Sequence, residues 1–204
     1  MTEPSPPRKT LGCGGAIAIC FVLLFVAVGL LPDEAKNAPQ ATLKADATKV
    51  QKSAAARTAG LTFRDTITTQ MQPCDAAAAA LATVAGKLGS GASIYDGYAA
   101  ANSTSAACST SWQALRKLGA PGDLSGDAAD KATETLARCA DLAFAKKRAA
   151  DAMMTVFDGD MRPSAIEEVK SRTSLAESYT MGCAAGMLAT ALASGVDAKE
   201  LTGK

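Results

Sequence analysis

The sequence predicts an all-α protein: a disulfide-stapled helical bundle of two αα-hairpins plus a leading helix, behind a single N-terminal transmembrane helix. Three features indicate this class: one long uncharged apolar segment, an alanine-rich remainder with only 4% aromatic residues, and four cysteines beyond the apolar segment. Alanine has the highest helix propensity and is depleted in strands, so close-packed helices are favoured. About 170 residues follow the apolar segment, which is enough for one domain of common size.

The apolar segment, residues 11–31, contains no charged residue. As a helix it would be about 30 Å long, the thickness of the hydrocarbon core of a bilayer. Arg8 and Lys9 precede it and acidic residues follow it, so the positive-inside rule places the N-terminus in the cytoplasm. We therefore predict a cytoplasmic head (1–10), a transmembrane anchor (11–31), a polar linker (32–50) and an exported helical bundle (51–204).

Cleavage of this segment after export is the alternative. The apolar region of a cleaved signal is shorter, about 7–15 residues, and a small-residue site follows it. Ala27-Val28-Gly29 resembles such a site, but the apolar run continues through Leu31. Retention is therefore favoured, with the protein in the cytoplasmic (inner) membrane and its C-terminal domain in the periplasm or outside.

Small residues on one face of the segment suggest a contact between transmembrane helices. Gly12, Ala16 and Cys20 recur at a spacing of four, which permits two helices to approach closely. Glycine and alanine are also common in membrane helices that have no partner. The pattern is thus compatible with homo-oligomers without requiring them.

The first half of the exported part predicts a leading helix and one hairpin. Ala59, Phe63, Ile67 and Met71 recur at a spacing of four, the mark of one buried helical face. We expect this helix to end at Pro73 and a second helix to run from a cap at Asp75 to the glycines at 89 and 91. An interrupted helix is expected over 92–117, because side chains at 102–105 can bond to the backbone and because Thr110 with Gln113 matches a capping box.

The second half predicts another hairpin. A long helix is expected over 127–157, and a final helix is expected from a capping box of Ser164 and Glu167 to Ser194. Residues 178–196 carry no charge, and Gly182 and Gly186 are spaced like a helix-contact motif. Their alanine, serine and threonine content favours a close-packed bundle helix over a second membrane span.

The cysteines at 74, 108, 139 and 183 predict two disulfides. Four cysteines in an exported domain permit three pairings. Residues equally far from the turn of an antiparallel hairpin lie at the same height, because both helices rise equally per residue. Cys74 and Cys108 lie equally far from Gly91, and Cys139 and Cys183 lie equally far from Met161. We therefore predict the pairs Cys74–Cys108 and Cys139–Cys183, each contributing roughly 3–4 kcal/mol.

The composition disfavours most chemistry. The chain has no histidine, which removes the usual general base near neutral pH and the commonest ligand of zinc, copper and haem. It also has no C-x-x-C motif, so we expect no catalytic residue, no metal and no cofactor. The net charge of +1, with acids and bases interspersed, disfavours nucleic acid.

Three aromatic residues, Tyr95, Tyr98 and Trp112, form a candidate ligand or partner patch near the first disulfide, although in so aromatic-poor a chain they would also serve as core. The basic run 146–148 also has two interpretations: it binds an anionic ligand, or it is a solvated helix face. The function expected by elimination is that of a membrane-anchored, non-catalytic envelope protein whose exported bundle binds another protein or envelope component. The alternative is a signal-cleaved soluble protein that binds a small ligand or is a carboxylate-dependent enzyme.

Overall fold

The computed structural model describes residues 43–201, with side chains from residue 53 onward. Its helices are α1 (Leu43–Ala85), α2 (Ile94–Lys117), α3 (Asp127–Phe157), α4 (Pro163–Ala193) and α5 (Ala198–Leu201). This part of the chain has no strand beyond an isolated bridge between Leu88 and Ala92, which confirms the all-helical class.

The head, the anchor with Gly12, Ala16 and Cys20, and most of the linker lie outside the described residues. Within residues 43–201, no helix combines the length and the hydropathy that a membrane crossing requires. The last part of the predicted linker, residues 43–50, is the start of α1.

Helix α1 runs through Pro73, so the prediction of two helices separated there is wrong. Proline removes one backbone N–H and leaves the carbonyl of Thr69 without its helical partner. Both Pro73 and Thr69 are exposed, so water can hydrate that carbonyl. The flanking residues Met71 and Cys74 are buried, and their packing holds both halves of α1 in place.

Helix α2 is also continuous, so the predicted interruption at 102–105 does not occur. The single hydroxyl proton of Thr104 is shared between the carbonyl oxygens of Ala100, 2.8 Å from Oγ1, and Ala77, 3.0 Å from it. Ser105 Oγ donates to a carboxylate oxygen of Asp151, at 2.6 Å. The bond to Ala100 is compatible with a continuous helix, and the bonds to Ala77 and Asp151 tie α2 to α1 and α3.

The helix caps differ from the predicted ones. Thr110 lies inside α2, and α4 begins at Pro163 with no side-chain cap, so neither predicted capping box forms. Proline at the first helical position suits α4 because its missing N–H would have no partner there. A capping box does form between Ser93 and Asp96 at the start of α2.

The helices pack in chain order, α1 on α2, α2 on α3 and α3 on α4, while α1 contacts α3 and α4 lightly. The main core includes the predicted face of α1, and all four of its residues are buried. They pack with residues that include Leu115, Leu136 and Cys139. A smaller core joins Leu81 with Ala101 and Ala150.

Both predicted disulfides are present, Cys74–Cys108 and Cys139–Cys183. The first fastens α1 to α2 and the second fastens α3 to α4. The four cysteines are buried, in accordance with a structural role. The predicted architecture of two stapled hairpins is therefore confirmed, except that the leading helix is continuous with the first helix of the first hairpin.

Candidate binding groove between the first and fourth helices

The three aromatic residues of the predicted patch are not brought together. Tyr95 and Tyr98 lie in the first turns of α2 and are 83% and 42% exposed. Trp112 follows on the same continuous helix, about 21 Å further along its axis than Tyr98. It packs on the core, with the Phe144 ring centroid 5.3 Å away and the Arg116 guanidinium over its ring. The two tyrosines are thus surface residues and only the tryptophan is partly core.

The basic run on α3 is largely engaged in ion pairs. Lys146 Nζ lies 2.5 Å from a carboxylate oxygen of Asp75 on α1, and Lys147 Nζ lies 2.6 Å from Asp151 one turn along α3. The run therefore does not form a free cationic patch, although Lys146 borders the groove described next.

A continuous groove lies between α1 and α4, with α3 as its floor. It consists of three adjoining cavities of about 270, 220 and 190 Å³. Lys146 and Thr180 line both the first and the second cavity, and Ala85 and Met153 line both the second and the third. Along α1 the groove extends from Ile67 to Ala85, a length of about 27 Å.

The surface of the groove is mostly apolar. Its floor includes the buried α3 residues Leu142, Ala149 and Ala150. Its charged lining residues are Asp75, Lys146 and Glu177, of which the first two form the ion pair between α1 and α3. The exposed Glu177 lies on the α4 wall and gives that rim a negative charge.

One polar atom within the groove has no hydrogen-bond partner among the described residues. It is Thr173 Oγ1, which is buried on the α4 wall of the middle cavity. A buried hydroxyl without a partner is costly, and a bound group that offers a donor or an acceptor would satisfy it.

The disulfides hold the two walls of the groove. Cys74–Cys108 fixes the α1 wall to α2, and Cys139–Cys183 fixes the α4 wall to α3. Cys183 itself lines the first cavity. A groove with fixed walls is preorganised, which reduces the entropy lost when a ligand binds.

A larger depression, of about 700 Å³, lies between residues 54–66 of α1 and the loop after α2. Thr58 and Thr66 face it, but each hydroxyl is bonded to a carbonyl of α1 itself. Of its lining residues only Ala59 and Phe63 are buried. It therefore offers a potential ligand less buried surface than the groove does.

Three acidic residues outside the groove have lowered pKa values. Hydrogen bonds from Ser93 lower the pKa of Asp96, and those from Arg162 lower the pKa of Asp160 to about 2. Partial burial opposes the shift at Asp151, but hydrogen bonds from Lys147 and Ser105 still leave its pKa lowered. A general acid at neutral pH needs the opposite shift. Among the described residues, no cluster of three or more His, Cys, Asp or Glu side chains could hold a metal ion.

No protein-family model matches the chain, and no curated protein or solved structure is significantly similar to it.

The sequence predicted none of the groove. Ala82 is exposed and lines the groove, and no prediction from the sequence placed it in a binding site. The sequence carried no signal for the groove, because alanine occupies both buried and exposed positions of these helices.

Proposed function

We propose that this is a membrane-anchored, non-catalytic envelope protein whose exported bundle binds another protein of the envelope along the α1–α4 groove. The observation that carries the proposal is the groove itself: it is continuous, apolar and bounded by two helices that disulfides hold in place. The pairing of all four cysteines of the bundle is consistent with an oxidising compartment.

The length and the apolar lining of the groove suit an amphipathic helix of the partner. A length of about 27 Å corresponds to roughly 18 helical residues, and amphipathic helices bind apolar grooves in many complexes. Glu177 on the rim favours a partner helix with a lysine or arginine at that level. Thr173 Oγ1 supplies one hydrogen-bonding group inside the groove.

Site-specific photo-crosslinking in native membranes tests the proposal. Ala82 lines the groove, whereas Ala80 is exposed about 200° around the same helix and lines none of the cavities. A photoreactive side chain at Ala82 should give one dominant protein adduct, and the same side chain at Ala80 should not. Equal adducts from both positions, or none from Ala82, would contradict the proposal.

A substitution that blocks the groove tests the same proposal by loss of partner binding. Ala82→Arg would place a charged side chain in the groove, while Ala80→Arg adds the same charge on the other side of α1. With a photoreactive group at Met153, on the groove floor, the adduct should disappear with Ala82→Arg and persist with Ala80→Arg. Persistence in both variants would mean that the partner binds elsewhere.

Fractionation separates the anchored protein from its alternative. A full-mass product that stays with the membranes supports the anchor, whereas a soluble product that begins near Leu30 supports cleavage.

The alternative function, that of a carboxylate-dependent enzyme, would use the cavity where Arg148, Asp151 and Glu168 meet. The lowered pKa of Asp151 argues against a general acid there.

A further inference from the structure

The outer face of α4 carries an uncharged stripe that no described helix covers. Its six residues follow one another at alternating spacings of four and three, and each of them is exposed: Ser174, Ser178, Met181, Ala185, Leu188 and Leu192. We call these residues the α4 stripe. Met181 is 71% exposed and Leu188 is 45% exposed. This spacing is that of a seam between two packed helices.

Helix α4 has an inner face that already accounts for its packing in the bundle. Its buried residues are Ala176, Cys183, Thr190 and Ala191. Cys183 is bonded to α3, and Thr190 Oγ1 lies 3.0 Å from Thr135 Oγ1 of α3. The α4 stripe lies on the opposite side, so no other helix in the described part of the chain packs on it.

Two copies of the α4 stripe that run in opposite directions are complementary in the sizes of their side chains. The small residues Ser174 and Ser178 lie at one end and the large residues Leu188 and Leu192 at the other. In an antiparallel pair of α4 helices centred at the level of Cys183, Ser174 faces the second copy's Leu192 and Ser178 faces its Leu188. Met181 then faces Ala185. A large side chain meets a small one at every level, as close packing requires.

A parallel pair would lack this match. It would place leucine against leucine at one end and serine against serine at the other, so the helices would be held apart where the side chains are small. The stripe also has no charge to pair with a charged partner, whereas a second copy presents an equally uncharged surface.

We propose that the protein forms a two-fold symmetric dimer in which the α4 stripes of two copies pack antiparallel. The stripe is about 27 Å long and about one helix diameter, 10 Å, wide, so the contact is smaller than the roughly 800 Å² per partner of a standard interface. The dimer is therefore a weak one. It does not depend on the function proposed for the groove, which lies on another side of α4.

The association equilibrium tests the dimer. The full chain in detergent, with Cys13 and Cys20 changed to serine, should show a concentration-dependent monomer–dimer equilibrium in analytical ultracentrifugation. Leu188→Glu should raise the dissociation constant at least about tenfold, because it buries a charge in the contact. Leu175→Glu is the matched control, since Leu175 has similar exposure, 42%, but lies outside the stripe. A monomer at all concentrations, or equal effects of both variants, would overturn the proposal.

Ser178→Leu distinguishes complementary packing from a nonspecific apolar contact. It makes the surface more apolar but places a second large side chain against Leu188 of the other copy. Complementary packing predicts a higher dissociation constant, whereas a nonspecific apolar contact predicts a lower one and would overturn the proposal.

Cysteine crosslinking tests the direction of the pair in the same background. A mixture of the Ser178→Cys and Leu188→Cys proteins should form a disulfide between the two variants. Neither variant alone should crosslink. The antiparallel arrangement separates residue 178, or residue 188, of one copy from the same residue of the other copy by about 15 Å along the axis, beyond the reach of a disulfide. A parallel dimer would crosslink each variant with itself, and that result would overturn the antiparallel arrangement.

Discussion

At Gly60, helix α1 approaches the end of α4 so closely that no side chain fits. A Cβ atom there would overlap Ser194 Oγ and would lie 2.8 Å from Ser194 Cβ. Ser194 is buried, and its hydroxyl donates to the Ala191 carbonyl at 2.7 Å, so it has little freedom to move. The glycine thus fixes where α1 and α4 meet, beyond the end of the groove.

Gly60→Ala should therefore lower the free energy of unfolding by about 1–3 kcal/mol, because the added methyl group overpacks the contact. Gly182→Ala is the matched control, since no described atom outside α4 lies within 4 Å of its Cβ position. That change should stabilise the protein by about 0.5–1 kcal/mol through helix propensity alone. Urea unfolding measures both changes, and a stabilised Gly60→Ala protein would contradict the contact.

Between helices α3 and α4, the carboxylate of Asp160 organises the turn. Asp160 Oδ1 accepts from the backbone N–H of Arg162 at 3.2 Å, and the Arg162 side chain donates to both of its oxygens at 2.8 and 2.6 Å. Arg162 directly precedes α4. The interaction thus sets the direction in which the chain enters the fourth helix.

Titration followed by NMR should give Asp160 a pKa of about 2, below its ordinary value of 3.8, because Arg162 bonds to the ionised form. The contribution of this interaction to stability is therefore present above pH 3.8 and is lost as the pH falls through 2. Arg162→Ala should return the pKa towards 3.8. A wild-type midpoint near the ordinary value would show that the turn does not form this interaction in solution.

For the whole molecule, the two disulfides hold the helices that form the walls of the groove. Cys74→Ala with Cys108→Ala, or Cys139→Ala with Cys183→Ala, should each lower the free energy of unfolding by roughly 3–4 kcal/mol, because the unfolded chain loses a long closed loop. Urea unfolding measures the loss. Changing Cys13 and Cys20 to alanine is the control and should leave the unfolding of the bundle unchanged. A negligible decrease in the free energy of unfolding after removal of either disulfide would mean that the helices keep their positions without it.

The sequence by itself determined the helical class, the long helix over 127–157, the buried face of α1 and both disulfide pairs. Each of these follows from local propensity, from the helical period or from the equal rise of two paired helices. Only the tertiary structure decided that α1 passes through Pro73 and α2 through residues 102–105, that Tyr98 lies far from Trp112, and that a groove separates α1 from α4. These outcomes depend on which side of each helix faces solvent and on which neighbour satisfies each polar group, and neither is a property of a single segment.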